Sequence, residues 1–258
     1  MTAHWREVAD GVLVRRHAEL DLNCGLVIGD GACLLIDTRS HLGEAADLIA
    51  AVRSVTPHPW TVVNTHAHYD HCFGNAAFRP APVWGSRGCA VALVATAERQ
   101  RADVVAQLRT AGDPAAALVQ GAPVDPPDHL VDETAVLDVG GREVVLRFLG
   151  RGHTDHDLVV EVETPDDRPV VFAGDLVEQG APPAFEDAHP ADWPATLGRL
   201  HALARGPVVP GHGDVVDADF VGGQREELLA VLAAVRAGRL DDGPYDAATM
   251  RIASSRPL

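Results

Sequence analysis

The chain has 258 residues, 47% of them hydrophobic and 22% charged, the composition of a globular protein long enough to bury a core without disulfide staples. Its 37 acidic residues outnumber 21 basic ones, for a formal net charge of −16, so the chain as a whole repels nucleic acid, whose binders displace phosphate counterions with basic patches. Every basic residue is Arg, which excludes Schiff-base lysines, P-loop lysines and Ser–Lys dyads.

Residues 1–11 are mixed polar and lack a basic start followed by an apolar leader, and no stretch approaches the roughly 20 apolar residues that cross a bilayer. Cys24, Cys33, Cys72 and Cys89 show no CxxC spacing and are expected to be reduced thiols. A cytoplasmic protein without membrane or nucleic-acid partners is the expectation. The β-branched run 12–14 predicts a first strand, and 26–28 and 34–36 flank Gly29-Asp30-Gly31 as a hairpin. Helical periodicity covers 43–52, and 61–63 is a buried strand ending at Asn64, followed by a His-rich polar loop. A short strand at 83–85 precedes an Ala/Val-rich helix over 88–108. Gly, Pro and Ala then make 110–128 a connector, broken by Asp125-Pro126-Pro127-Asp128. Strands resume at 136–139, 144–149, 158–162 and 170–172. Helices at 193–204 and 220–237 enclose a strand at 208–209. Two runs of strands, each followed by helices, are not a βαβα alternation, and they favour two packed sheets with helices outside over one doubly wound sheet.

Thirteen histidines are an excess for this length, and the densest cluster is Thr65-His66-Ala67-His68-Tyr69-Asp70-His71, directly behind the apolar strand. In an extended segment His66, His68 and Asp70 share one side, and a turn at Asp70, eased by Gly74, brings His71 to join them. Four donors from so short a segment crowd one ion, whereas two ions a few Å apart can share them. Three more apolar strands end in Gly and a ligand type: Gly150-Arg151-Gly152-His153, Gly174-Asp175 and Gly211-His212. Imidazoles and carboxylates without thiolate suit zinc, iron or manganese.

With HAHYDH at 66–71, GHT at 152–154, GD at 174–175, GHG at 211–213 and Leu35-Ile36-Asp37-Thr38, the sequence resembles the metallo-β-lactamase superfamily over about residues 20–215. The resemblance implies a single domain over 1–258, an αββα sandwich of two mixed β-sheets flanked by helices. In it, 88–128 would be a helical and connector insertion and 219–258 a C-terminal helix and tail. It implies that His66, His68 and His153 hold one metal, that Asp70, His71 and His212 hold a second, and that Asp175 bridges them. Asp37 would support a ligand histidine from behind, and His156 is a candidate for a similar supporting place. The implied activity is a metal-dependent hydrolase with two Zn2+ per chain, iron or manganese being the alternatives. A hydroxide shared by the metals would cleave a small-molecule ester, thioester, lactone or amide, with Asp70 orienting it. Asp175 stands where the family's β-lactamases carry Cys or Ser, which aligns the chain with the glyoxalase-, lactonase- and nuclease-type members and demotes β-lactamase activity. A mononuclear iron dioxygenase of a sulfur compound is the other open enzymatic reading. A scaffold that lost activity is disfavoured because all seven ligand positions are filled. His156 and Asp157 either support the ligands, contact substrate or cap the next strand; Tyr69 is expected to point away from the site, and Cys72 to pack. The 176–193 segment is expected to border a pocket for a small, partly apolar substrate, and a homodimer contact through 88–128 stays open beside ordinary packing.

Overall fold

The computed structural model describes residues 4–257. The first sheet holds β1 (Trp5–Ala9), β2 (Val12–Arg16), β3 (Asn23–Ile28), β4 (Cys33–Ile36), β5 (Trp60–Val63), β6 (Val83–Ser86) and β7 (His129–Val131), side by side in chain order. Pairing is antiparallel from β1 to β4 and parallel from β4 to β7. The second sheet runs in the order β12 (Val208–His212), β11 (Val170–Glu178), β10 (Leu158–Val162), β9 (Glu143–Phe148) and β8 (Thr134–Asp138). Only its β11–β12 pair is parallel.

The strands alternate apolar residues on both faces because both faces are covered. On β4, Leu34 and Ile36 enter the core between the sheets with Val63, Leu146, Val160 and Phe172. Cys33 and Leu35 point the other way, onto α1 (Leu42–Arg53), where Ala45, Leu48 and Val52 wait. On the far side, Val159 and Val171 face α5 (Trp193–Leu203), α6 (Ala218–Arg236) and α7 (Ala247–Ser254) through Trp193, Leu197, Leu228 and Met250. Helix, sheet, sheet and helix form the αββα sandwich. The sheets approach closely at Gly25, where a Cβ would lie 2.4 Å from the Phe172 ring and 2.9 Å from Ile36 Cδ1. Gly25→Ala is therefore expected to lower stability by about 1–3 kcal/mol through overpacking, read as a shifted urea midpoint with an unchanged slope.

Several expectations need correction. The polar start contains β1, an edge strand with no fully buried residue. The connector over 110–128 takes in the end of α3 (Arg87–Ala111) and α4 (Ala115–Gln120), and β7 follows it. The strand expected to stop at Phe172 continues to Glu178, because a register shift at Gly174 (φ 53°) lets the chain bulge and keep pairing. The C-terminal part holds α7 beyond the expected helix. The four cysteines are buried free thiols. Among the described residues no helix is long and apolar enough to cross a membrane.

Candidate metal centre

The end of β5 delivers His66, and from there the geometry departs from the expected alternation. The turn comes one residue early: His68 is the extended cap (ψ 147°) of a short helix α2 (Tyr69–Cys72), which carries Asp70 and His71. Tyr69 packs edge-on to Phe73 at 6.0 Å, and Cys72 is buried with Cys89, Leu93 and Ala97 of α3, so the Ala-rich helix backs the ligand segment.

Asp37, at the end of β4 with φ 63°, sits behind this segment. Its carboxylate accepts from Thr65 N–H at 2.8 Å, Thr65 Oγ1 at 2.9 Å and His71 Nδ1 at 2.8 Å. Since Thr65 donates its hydroxyl proton to Asp37, its oxygen accepts from His66 Nδ1 at 3.0 Å. Both rings are thereby fixed with Nε2 forward. His153 follows β9, in a turn where Asp157 accepts from Thr154 N–H (2.8 Å) and Oγ1 (2.6 Å). Asp175 sits on the bulge of β11. His212 ends β12, and its Nδ1 donates to Leu20 O at 2.7 Å. Leu20 and Asp21 take φ values of 59° and 60° to present that carbonyl.

All seven expected ligands come together. One group is His66, His68, His153 and Asp175; the other is Asp70, His71 and His212; within each, the donor atoms lie within 4.8 Å of one another. Asp175 joins the groups: its carboxylate lies 3.6 Å from His66 Nε2, 3.4 Å from His153 Nε2, 3.2 Å from His71 Nε2 and 3.4 Å from His212 Nε2. Asp70 Oδ2 lies 3.6 Å from His71 Nε2 and 3.5 Å from His212 Nε2.

The donor set fits divalent cations on two grounds. His66 Nε2, His71 Nε2 and Asp175 Oδ1 are buried and have no hydrogen-bond partner, and each such atom costs about 1–3 kcal/mol unless something satisfies it. Secondly, His68 Nδ1 and His153 Nε2 are turned toward one point, 2.9 Å apart, and Asp175 lies 3.4 Å from His153 Nε2, so two imidazoles and a carboxylate converge there. The electrostatics agree. Burial pulls the His212 imidazole down, yet Asp175 and Asp70 outweigh it and lift it to about 10. His71 rises for the same reason, while burial and the neighbouring imidazole of His71 depress His66. Burial alone would raise Asp175; the ring of imidazoles drives it down instead. The carboxylates of Asp70 and Asp175 thus favour positive charge around His71 and His212, while burial disfavours it on the rings of His66 and His153.

Asp37 lies behind the segment that carries His66 and His71, bonded to Thr65 and His71. His156 Nε2 accepts from Ala67 N–H at 3.3 Å, between His66 and His68, while its Nδ1 pairs with Asp155. Two acidic residues escaped the sequence reading of the site. Asp187, in the segment expected to border the pocket, accepts from His68 Nε2 at 3.0 Å, and that pairing holds it down at about 2 against its burial. Glu178, at the end of the unexpectedly long β11, is buried 3.8 Å from His153 Nδ1, and burial with Asp175 nearby raises its pKa. Acidic residues in a loop or strand of an acidic protein carry no spacing signal; only the length of β11 could have placed Glu178.

A family model described as the metallo-beta-lactamase superfamily matches residues 19–212. Among solved structures, a metallo-beta-lactamase from Pontibacter korlensis superposes with a TM-score of 0.67 at 20% identity, covering 88% of this chain and 99% of that one. The metallo-beta-lactamase FIM-1 from Pseudomonas aeruginosa, in a mono-zinc form, gives 0.65 at 18% identity, over 89% and 96% of the two chains. At these identities the likeness is one of fold. No curated protein sequence matches the chain.

Proposed function

The chain belongs to the metallo-β-lactamase superfamily, and on that premise we propose that it is a dinuclear metal-dependent hydrolase of small-molecule esters, thioesters, lactones or amides. The observation that carries this reading is the convergence of seven donors from four segments into two adjoining groups, with buried unpartnered atoms facing inward. His66, His68, His153 and Asp175 would hold one ion, and Asp70, His71 and His212, with Asp175 shared, the other. Zinc suits a set of imidazoles and carboxylates, and iron or manganese can use the same donors. Bound there, divalent ions bring the pKa of water to about 7 and polarise the oxygen of an electrophile.

The chain's own residues supply orientation and proton transfer. Asp70 Oδ2 faces the space shared by His71 and His212 and is placed to orient an attacking water and accept its proton. Asp37 and His156 hold the ligand loop rigid. The arginines beside the ligand segments are already engaged: Arg16 pairs with Asp21 and Asp214, and Arg151 with Asp192 at 2.7 Å. No lysine is present. A substrate carboxylate would compete with these paired aspartates for the same guanidinium groups, which supports an uncharged ester or lactone over an anionic β-lactam.

The test is elemental analysis of purified protein, followed by a panel of chromogenic esters, lactones, thioesters and cephalosporins. About two zinc ions per chain are expected, with turnover lost on chelation and restored by zinc, and with cephalosporins the poorest substrates. One iron per chain with oxygen uptake, or unchanged turnover after complete removal of metal, would replace this reading.

A further inference from the structure

We infer that Asp187 is the positioning residue for His68, and that Arg256, far away in sequence, holds Asp187 in register. The inference rests on the proposed metal site and adds to it the question of how its most exposed histidine is fixed.

Among the imidazoles of the first group, His68 is the exception. His66 and His153 are almost fully buried, whereas the His68 side chain retains 23% of its exposure. It also presents Nδ1 to the site, opposite His153, leaving Nε2 outward. A partly exposed imidazole with a free outer nitrogen can exchange tautomers and rotate. A carboxylate on Nε2–H removes that freedom and makes Nδ1 the lone-pair donor. Asp187 makes this contact across 119 residues of sequence.

Asp187 lies in a segment with neither helix nor strand, so something else must fix it. Phe185, buried on one side of it, packs against Trp193 at 5.7 Å and Tyr245 at 6.3 Å. Ala188, on the other side, is buried in the same core. His189 N–H donates to Gly152 O at 2.8 Å, tying the segment to the turn that carries His153. The two carbonyls flanking Asp187 are both taken by one guanidinium: Arg256 Nε donates to Ala188 O at 3.1 Å and Nη1 to Glu186 O at 3.0 Å. The fork of an arginine matches two such acceptors in a way a lysine cannot. The tail beyond α7 thus reaches the metal site without touching it.

The experiment is zinc titration by chelator competition on the full chain, with the visible spectrum of the cobalt-loaded form as a second readout. In Asp187→Ala, one of two zinc ions is expected to bind about 10–100-fold more weakly, with an altered cobalt spectrum and an unchanged melting temperature for the metal-free protein. Arg256→Ala, which removes the half-buried guanidinium from both carbonyls, is expected to move both readouts the same way by less. The double variant is expected to match Asp187→Ala, because residues acting through one contact are not additive. Wild-type zinc affinity and spectrum in Asp187→Ala would overturn the inference alone, as would full additivity in the double variant. A wild-type chain that takes up no metal would overturn the proposed function with it.

Discussion

Asp175→Asn is expected to leave the chain with at most one ion and to reduce hydrolysis on the order of a thousandfold. The variant keeps the volume of the side chain while removing its charge and turning one acceptor oxygen into an N–H donor, so the effect reads electrostatics and ligation and not packing. Asp175 is the carboxylate that both groups share: imidazoles of His66, His153, His71 and His212 all lie within 3.6 Å of it. The fold makes room for it at close quarters, since a Cβ at Gly211 would lie 1.8 Å from Asp175 Oδ1. Withdrawing several kcal/mol of charge stabilisation, at about 1.4 kcal/mol per factor of ten, gives the expected loss. Metal content and kcat/KM on the best ester of the panel are the measurements. Two ions and near-normal turnover in the variant would mean that the groups are independent and that Asp175 bridges nothing.

The second large effect is expected at Asp37, which contacts no metal. Asp37→Ala strands the Thr65 amide, the Thr65 hydroxyl and His71 Nδ1, all buried, and leaves the rings of His66 and His71 free to turn. Losses of about 10–100-fold in metal affinity and of a few kcal/mol in the stability of the metal-free protein are expected together. Asp37→Asn separates the causes. Asparagine tolerates the positive φ that Asp37 adopts and can still accept from Thr65, but it lacks the charge that favours the His71 Nδ1–H tautomer. The expected order in zinc affinity is wild type, then Asn, then Ala, with most of the stability loss confined to Ala. Equal affinity in all three would remove Asp37 from the site.

Most of the site was legible because its donors sit at ends of apolar strands, where the pattern of hydrophobic run, glycine and His or Asp is visible without knowing the fold. Val62 and Val63 announce His66; Val171 and Phe172 announce Asp175; Val208 and Val209 announce His212. The sandwich was legible for the same reason, since Leu34 and Leu35 can both be buried only if each face of their strand is covered. What escaped was set by tertiary context. Strand β1 has no buried residue of its own and exists because β2 offers an edge to pair with. The early turn at Tyr69 follows from packing of Tyr69 and Cys72 on the α3 side, not from the spacing of the histidines. Asp187 and Arg256 act through contacts spanning 119 and about 70 residues, and no local pattern encodes them.

The ligand segments are divided between the two sheets. His66 to His71 follow β5 of the first, while His153, Asp175 and His212 belong to the second. A nascent chain that has left the ribosome only as far as β8 therefore carries a half-built cradle, rich in imidazole but without the shared carboxylate. The group of His66, His68, His153 and Asp175 is complete once β11 pairs with β10, whereas the group of Asp70, His71 and His212 waits for β12 to dock beside β11, so the last strand of the second sheet completes the cradle.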